Sequence, residues 1–188
     1  MIKAADVRAS VTARRRVMVT WYGCRTTGGA SVGDHDLVRD ALSTDGLALD
    51  FWQIAMRPGK PLMVGRYRGT PMLGLPGNPV STLVCALLFL KPALDRLSGL
   101  VRVPEAMSTA RLGIALGAND RRQDYLRAKL SCAADGTLEA FPFETQDSSM
   151  IRLLAASDCL VMRPPRAPAA KIGSIVPIIT FPAEALPL

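Results

Sequence analysis

The stretch MLGLPGNPVSTLVCALLFL, residues 72–90, constrains the fold more than any other part of the chain. Apolar residues lie on both sides of GLPGNP, so that turn must join two buried elements. The elements differ in kind. Residues 71–75 read as a strand; Asn78 is a favoured N-cap type and Pro79 suits the first helical position, which predicts a helix over 80–97. Pro fixes φ and Gly removes the side chain that would block close approach, so the turn is stiff yet open to a ligand at its backbone. The free N–H groups at such a helix start favour an anion, although a well-capped core helix uses the same residues without any ligand. The apolar run 83–90 is far shorter than the roughly 20 residues that cross a bilayer, and Lys91-Pro92 closes it.

Two patterns divide the rest of the chain. VMVTWY (17–22) reads as a strand, the small-residue loop 26–33 follows, and Asp34 or Asp36 can cap a helix with Leu37, Val38, Ala41 and Leu42 on one face. Segments 47–56 and 61–66 read as further strands, and strands mixed with helices of this length point to a layered α/β domain. After Ser98-Gly99 the segments become short and strand-like: RLGIALG, DYLRAKLSC, TLEAFPF, CLVMR and GSIVPIITF, with one helix at 149–156. Asn119-Asp120, Asp135-Gly136 and the Pro-rich 164–168 separate them, the signature of a small β-barrel or sandwich. The expected organisation is a basic N-terminal segment (1–25), an α/β domain (26–100) and a β domain (104–188).

The net charge of +7 suggests nucleic acid until it is localised. Residues 1–25 hold Lys3, Arg8, Arg14, Arg15, Arg16 and Arg25 against Asp6, which is +5, so the remaining residues carry only +2. A nearly neutral body argues against a nucleic-acid interface, and only the Arg14-Arg15-Arg16 arm speaks for one. Cys24, Cys85, Cys132 and Cys159 are widely spaced without a C-x-x-C pair, as expected of reduced thiols in a cytoplasmic protein. His35 is the single histidine, which excludes multi-histidine metal sites; the first 25 residues lack the continuous apolar core of a secretory signal.

Three loops carry the chemistry. TTGGASVGD combines three glycines, whose amides can approach a ligand, with hydroxyls that can donate to an oxyanion. Asp34 and Asp36 beside it offer two hard oxygen donors able to hold Mg2+ against a phosphate, and one of them can equally serve as an N-cap. RPGKP places Arg57 and Lys60 on a loop braced by two prolines, which lowers the entropic cost of holding an anion; a solvated turn is the plain alternative. GLPGNPVS is the third.

In this order and spacing, TTGGASVGDHD, RPGKP and GLPGNPVS resemble the molybdopterin molybdenumtransferase family, of the MoeA and gephyrin E-domain type. DRRQDYLRA and TQDSS look like the family's last domain, so the resemblance runs from about Thr26 to the C-terminus. It implies a truncated three-layer α/β/α (MogA-like) domain followed by a small C-terminal β-barrel domain. It also implies Mg2+-dependent insertion of molybdate into adenylylated molybdopterin with release of AMP. Carried over by residue, Thr27, Gly28, Gly29, Ser31 and Gly33 would line the pterin-phosphate cleft with Pro76, Gly77, Asn78 and Pro79. Asp34 and Asp36 would bind or orient the Mg2+–phosphate, Lys60 would act in catalysis, and Arg57, Lys60, Arg122 and Ser148 would hold molybdate in one electropositive hollow. Converging cations and a hydroxyl suit a dianionic oxyanion.

The full-length family implies a homodimer and two further domains ahead of the TTGG loop, where this chain has about 25 residues. A shortened, weak or inactive enzyme is therefore expected, the alternatives being a non-catalytic molybdopterin-binding remnant or a molybdopterin adenylyltransferase.

Overall fold

A computed structural model of the chain describes residues 46–100 and 108–181, together with the backbone of 18–21. The chain divides into two compact units, one of Met1–Ala55 with Gly59–Arg102 and one of Met56–Pro58 with Val103–Leu188.

In the first unit, strands β1 (Met18–Trp21), β2 (Leu47–Phe51), β4 (Met63–Tyr67) and β5 (Thr70–Leu75) form one sheet in the order β1-β5-β4-β2. β1 runs parallel to β5, with Met18 opposite Met72 and Trp21 opposite Leu75. β4 and β5 form a hairpin closed by Arg68-Gly69, at φ 48° and 80°. Two successive left-handed residues give a turn whose twist matches that of the strands, and the glycine makes it inexpensive. Side chains alternate across the sheet, and Leu47, Met63 and Met72 bury one face together with Leu49, Trp52 and Tyr67.

The expected strand 47–56 is broken in the structure. Its register against β4 shifts between Leu49 and Phe51, and the bulge brings Ala48 over Gly65, where a Cβ would lie 2.4 Å from the Ala48 carbonyl oxygen. Beyond Phe51 the chain leaves this sheet, Ile54 N donates to Lys60 O at 3.0 Å, and Met56–Arg57 (β3) pairs in parallel with the second unit instead. Apolar residues suit either sheet equally, so periodicity cannot tell one strand from two.

The helix that follows the GLPGNP turn consists of α1 (Pro79–Cys85), a widened π turn (Ala86–Leu90) and α2 (Lys91–Leu97). Pro92 explains the widening: it has no N–H to give, and its ring crowds the carbonyl four residues back. Val80, Val84, Cys85, Leu88, Phe89 and Ala93 are buried, and α1 packs beside β5. At the far end Gly99 (φ 74°) donates to Arg96 O at 3.2 Å and Leu100 N to Asp95 O at 2.9 Å, the paired bonds of a Schellman stop. The helix expected after Asp34 lies outside the described residues.

The second unit is a closed barrel of five strands. β6 (Ser108–Leu112), β7 (Gln123–Cys132), β8 (Leu138–Pro142), β9 (Cys159–Arg163) and β10 (Ile175–Thr180) follow the order β7-β8-β6-β10-β9, and β9 pairs back to β7. Closure removes the sheet edges. Inward residues Ala110, Leu112, Ala128, Ala140, Cys159, Val161, Val176 and Ile178 form its core. The helix expected at 149–156 is α3 (Ile151–Ala155).

One expected strand ends early. RLGIALG ends as a regular strand at Leu112; beyond it Gly113 N still donates to Ala140 O of β8 at 2.8 Å, and Leu116 bridges to Ala170. The Phe141 ring lies against Gly113, where a Cβ would come within 2.2 Å of it, so any larger residue would have to displace the ring.

Candidate functional site

The GLPGNP turn is held from within. Asn78 sits at φ −71° and ψ 126°, and its side-chain oxygen accepts from Val80 N at 3.2 Å and Ser81 N at 3.4 Å, with Pro79 next in the helix. The Thr82 hydroxyl lies within hydrogen-bond reach of both Pro76 O and Asn78 O, and its single proton serves one of them at a time. Thr82 was no part of the sequence expectation, although a hydroxyl one turn into a helix is a recognisable partner for the carbonyl before it. Pro76 is buried, Gly77 and Asn78 are half-buried, and Pro79 is exposed.

RPGKP is shared between the two units: Arg57 and Pro58 belong to the barrel unit, and Gly59 and Lys60 to the α/β unit. Lys60 is exposed, and its ammonium has no partner among the described residues. Its carbonyl holds Ile54 N, and the buried Cys85 thiol faces Gly59 O at 3.9 Å. Burial pushes the Cys85 thiol well above the ordinary thiol range.

In the barrel unit Arg57 and Arg122 meet on two aspartates. β3 brings Arg57 alongside the start of β7, opposite Asp124. The Arg57 guanidinium pairs with the buried Asp124 carboxylate, and its other terminal nitrogen lies 3.8 Å from Asp120 Oδ2. Arg122 donates to the same Asp120 Oδ2 from Nη2 at 2.9 Å and Nε at 3.3 Å, while its main-chain N–H reaches Asp120 Oδ1 at 2.7 Å. The bond to Asp124 raises the Arg57 pKa, and the bonds from Arg122 lower Asp120 to about 2. The other oxygen of Asp124 is buried and has no hydrogen-bond partner among the described residues.

The backbone around this cluster is fixed by groups the motifs did not indicate. Asn119 Nδ2 reaches the carbonyls of Arg122, Arg163 and Pro164 at 2.9–3.1 Å, and Arg166 N donates to Asp120 O at 2.6 Å. Arg163, buried and directly opposite Asp124 in the β7–β9 register, donates to Gly117 O at 3.0 Å and Pro168 O at 2.6 Å.

Ser148 lies on the loop before α3, and among the described residues it bonds neither Arg57 nor Arg122. Its loop is anchored on Arg127, which is 1% exposed. Arg127 donates to Met150 O at 3.0 Å, Asp147 O at 2.9 Å and Gln146 Oε1 at 3.3 Å, and Gln146 returns a bond to Arg127 O at 3.0 Å. Desolvation lowers the Arg127 pKa, opposed by Asp147. A cation in a strand that otherwise alternates was the available signal for this anchor.

Thr27, Gly28, Gly29, Ser31, Gly33, Asp34 and Asp36 lie outside the described residues. Among the described residues no three His, Cys, Asp or Glu side chains gather to hold a metal ion. The structure thus groups Arg57 with Arg122, and adds Asp120 and Asp124 as their counter-ions.

An α/β unit with a stiffened strand-to-helix turn, followed by a closed barrel carrying an arginine pair, defines a class that two domain models match. Residues 23–96 match the family described as "Probable molybdopterin binding domain", and residues 109–181 match "MoeA C-terminal region (domain IV)". The chain belongs to the MoeA family, as a MogA-like α/β domain followed by the C-terminal barrel. It is 32% identical over 142 residues to the molybdopterin molybdenumtransferase of Haemophilus influenzae, covering 73% of this chain and 34% of that protein. With the protein of the same name from Staphylococcus aureus it shares 30% over 161 residues, 85% of this chain and 38% of the other. A solved molybdopterin biosynthesis MoeA protein from Pyrococcus horikosii has the same fold, with a TM-score of 0.63 at 24% identity over 96% of this chain and 40% of that one. The chain spans about a third of the length of the curated relatives it matches.

Proposed function

We propose that the chain acts in molybdenum cofactor biosynthesis, inserting molybdate into adenylylated molybdopterin with release of AMP. The observation that carries this reading is the arginine pair of the barrel unit: two guanidiniums brought from residues 57 and 122 onto one exposed carboxylate oxygen. Planar, permanently charged forks of this kind suit a tetrahedral dianion better than any apolar surface. Ser148 is assigned to the same anion, and Lys60, with an ammonium unpartnered among the described residues, to catalysis. The names of the relatives support the reaction type.

The glycine loop, with Thr27, Gly28, Gly29, Ser31 and Gly33, is assigned to the pterin phosphate, together with the turn of Pro76, Gly77, Asn78 and Pro79. Asp34 and Asp36 would hold Mg2+, which supplies charge neutralisation at the phosphate. A homodimer and a cytoplasmic setting belong to the same reading; no described helix is long and apolar enough to cross a membrane.

Incubation of the purified chain with adenylylated molybdopterin, Mg2+ and molybdate, with AMP followed by chromatography, tests it. Molybdate-dependent AMP release is expected. Pterin binding with no AMP released would instead make the chain a binding module, and ATP-dependent adenylylation of molybdopterin would make it an adenylyltransferase.

A further inference from the structure

The two aspartates that hold Arg57 differ in ways that assign them different work. Asp124 is 4% exposed and lies in β7, opposite Arg57 of the paired strand β3. It cannot leave Arg57 without stranding a buried carboxylate, which is strongly disfavoured. Asp120 is the opposite case. Its side chain is 43% exposed, it sits on the loop before β7, and solvent reaches the ion pairs it makes. Exposed pairs of this kind are individually weak, about 0.2–1 kcal/mol.

Geometry adds a second point. One oxygen of Asp120, Oδ2, is faced by Arg57 Nη1 and by Nε and Nη2 of Arg122. Three guanidinium nitrogens on one anionic oxygen is the surrounding that an oxygen of an external oxyanion would take there. The main chain at 120 is fixed independently, by Arg166 N on its carbonyl and by Asn119 Oδ1 on its N–H at 2.9 Å. Rotation of the Asp120 side chain gives up the Arg122 N–H bond to Oδ1 as well and exposes both guanidiniums, while the two other bonds hold the main chain at 120.

We propose that Asp120 is an exchangeable internal counter-ion: it occupies the Arg57–Arg122 pair until a tetrahedral oxyanion displaces it, while Asp124 remains as the fixed counter-ion that keeps Arg57 in place. The pair is thus preassembled, and entry of the anion is an exchange of one carboxylate oxygen for one oxyanion oxygen. Selectivity follows. A singly charged or weakly basic anion gains too little to displace an internal carboxylate, whereas a compact dianion such as molybdate, tungstate or sulfate gains from both arginines. The inference rests on the reading of Arg57 and Arg122 as an oxyanion pair, and is independent of whether the chain releases AMP.

Titration calorimetry of the full chain with sodium molybdate, repeated with tungstate, tests this. Asp120→Asn retains an oxygen for the Arg122 N–H and removes the charge; Asp120→Ser does the same with a shorter side chain and serves if the first variant fails to fold. Removing a competitor worth one or two exposed ion pairs is expected to tighten molybdate binding by about three- to tenfold, and to narrow the preference for dianions over chloride. Arg122→Ala is expected to abolish the gain when combined with Asp120→Asn. Unchanged or weaker binding in both Asp120 variants would overturn the proposal, as would the absence of molybdate binding by wild type and variants alike. Dianion binding tightened by the variants, in a chain that releases no AMP, would uphold the exchange and defeat only the reaction proposed above.

Discussion

Replacing Arg127 by methionine isolates the contribution of a cation that is 1% exposed. Methionine retains most of the apolar stem and removes three donors, those to Met150 O, Asp147 O and Gln146 Oε1. Hydrogen bonds from a charged donor are worth about 1.5–3 kcal/mol each, so simple addition bounds the loss at about 9 kcal/mol. Against this stands the desolvation of the guanidinium, several kcal/mol, which the variant no longer bears and which already lowers the Arg127 pKa. The expected net loss is about 2–4 kcal/mol, the range typical of breaking a buried polar network. Urea unfolding with an unchanged m-value measures it. Amide exchange at 144–150 should accelerate even under native conditions, because Met150 O and Asp147 O lose the partner that ties their loop to β7. Arg127→Lys should recover only a fraction, since a single ammonium cannot reach three separate acceptors. Stability within about 0.5 kcal/mol of wild type, the range of ordinary surface changes, with unaltered exchange in this loop, would refute the reasoning.

Asn78→Ala removes the oxygen that caps Val80 N and Ser81 N, and should cost about 1 kcal/mol in thermal or chemical unfolding. Exposed Cys132 should react with iodoacetamide at pH 8 while Cys85 and Cys159 stay protected until unfolding, because burial removes access and pushes the Cys159 thiol up to about 12; mass spectrometry of tryptic peptides reads the order. Asp120 should titrate near 2 when followed by carboxyl NMR, mainly because Arg122 bonds its charged form. A depressed carboxylate contributes stability that is present above its unfolded pKa and lost as pH falls toward 2. Asp120→Asn should therefore flatten the acid limb of the stability profile below about pH 4.

Much of the fold was legible because the determinants are local. The helix start at Asn78-Pro79 needs only a capping oxygen and a residue with preset φ, both within three positions of each other. The α/β class likewise follows from period and segment length, as does a small all-β second domain, which those signals left as a barrel or a sandwich. Legibility stopped where a segment could satisfy either of two sheets. Strand 47–56 divides after Phe51 because Met56 finds its hydrogen bonds on β7, 67 positions away, and apolar residues carry no label for the sheet they will join. RLGIALG ends as a strand at Leu112, next to a glycine that packs against a ring from position 141, a contact no local pattern reveals.

The candidate site shows the same division. Local chemistry by itself identified a braced Arg57 and a capped turn at 76–79, since cations, prolines and glycines advertise their properties wherever they stand; Arg122 and Ser148 entered through the family resemblance alone. Only the tertiary structure decided their partners: that Arg57 belongs with the barrel and Lys60 with the α/β unit, that Asp120 and Asp124 divide one guanidinium between an exposed and a buried carboxylate, and that Arg127 holds the loop of Ser148. The reason is physical. A charge's energy depends on what surrounds it and how much water remains, and both are set by strands that meet only after the chain has folded.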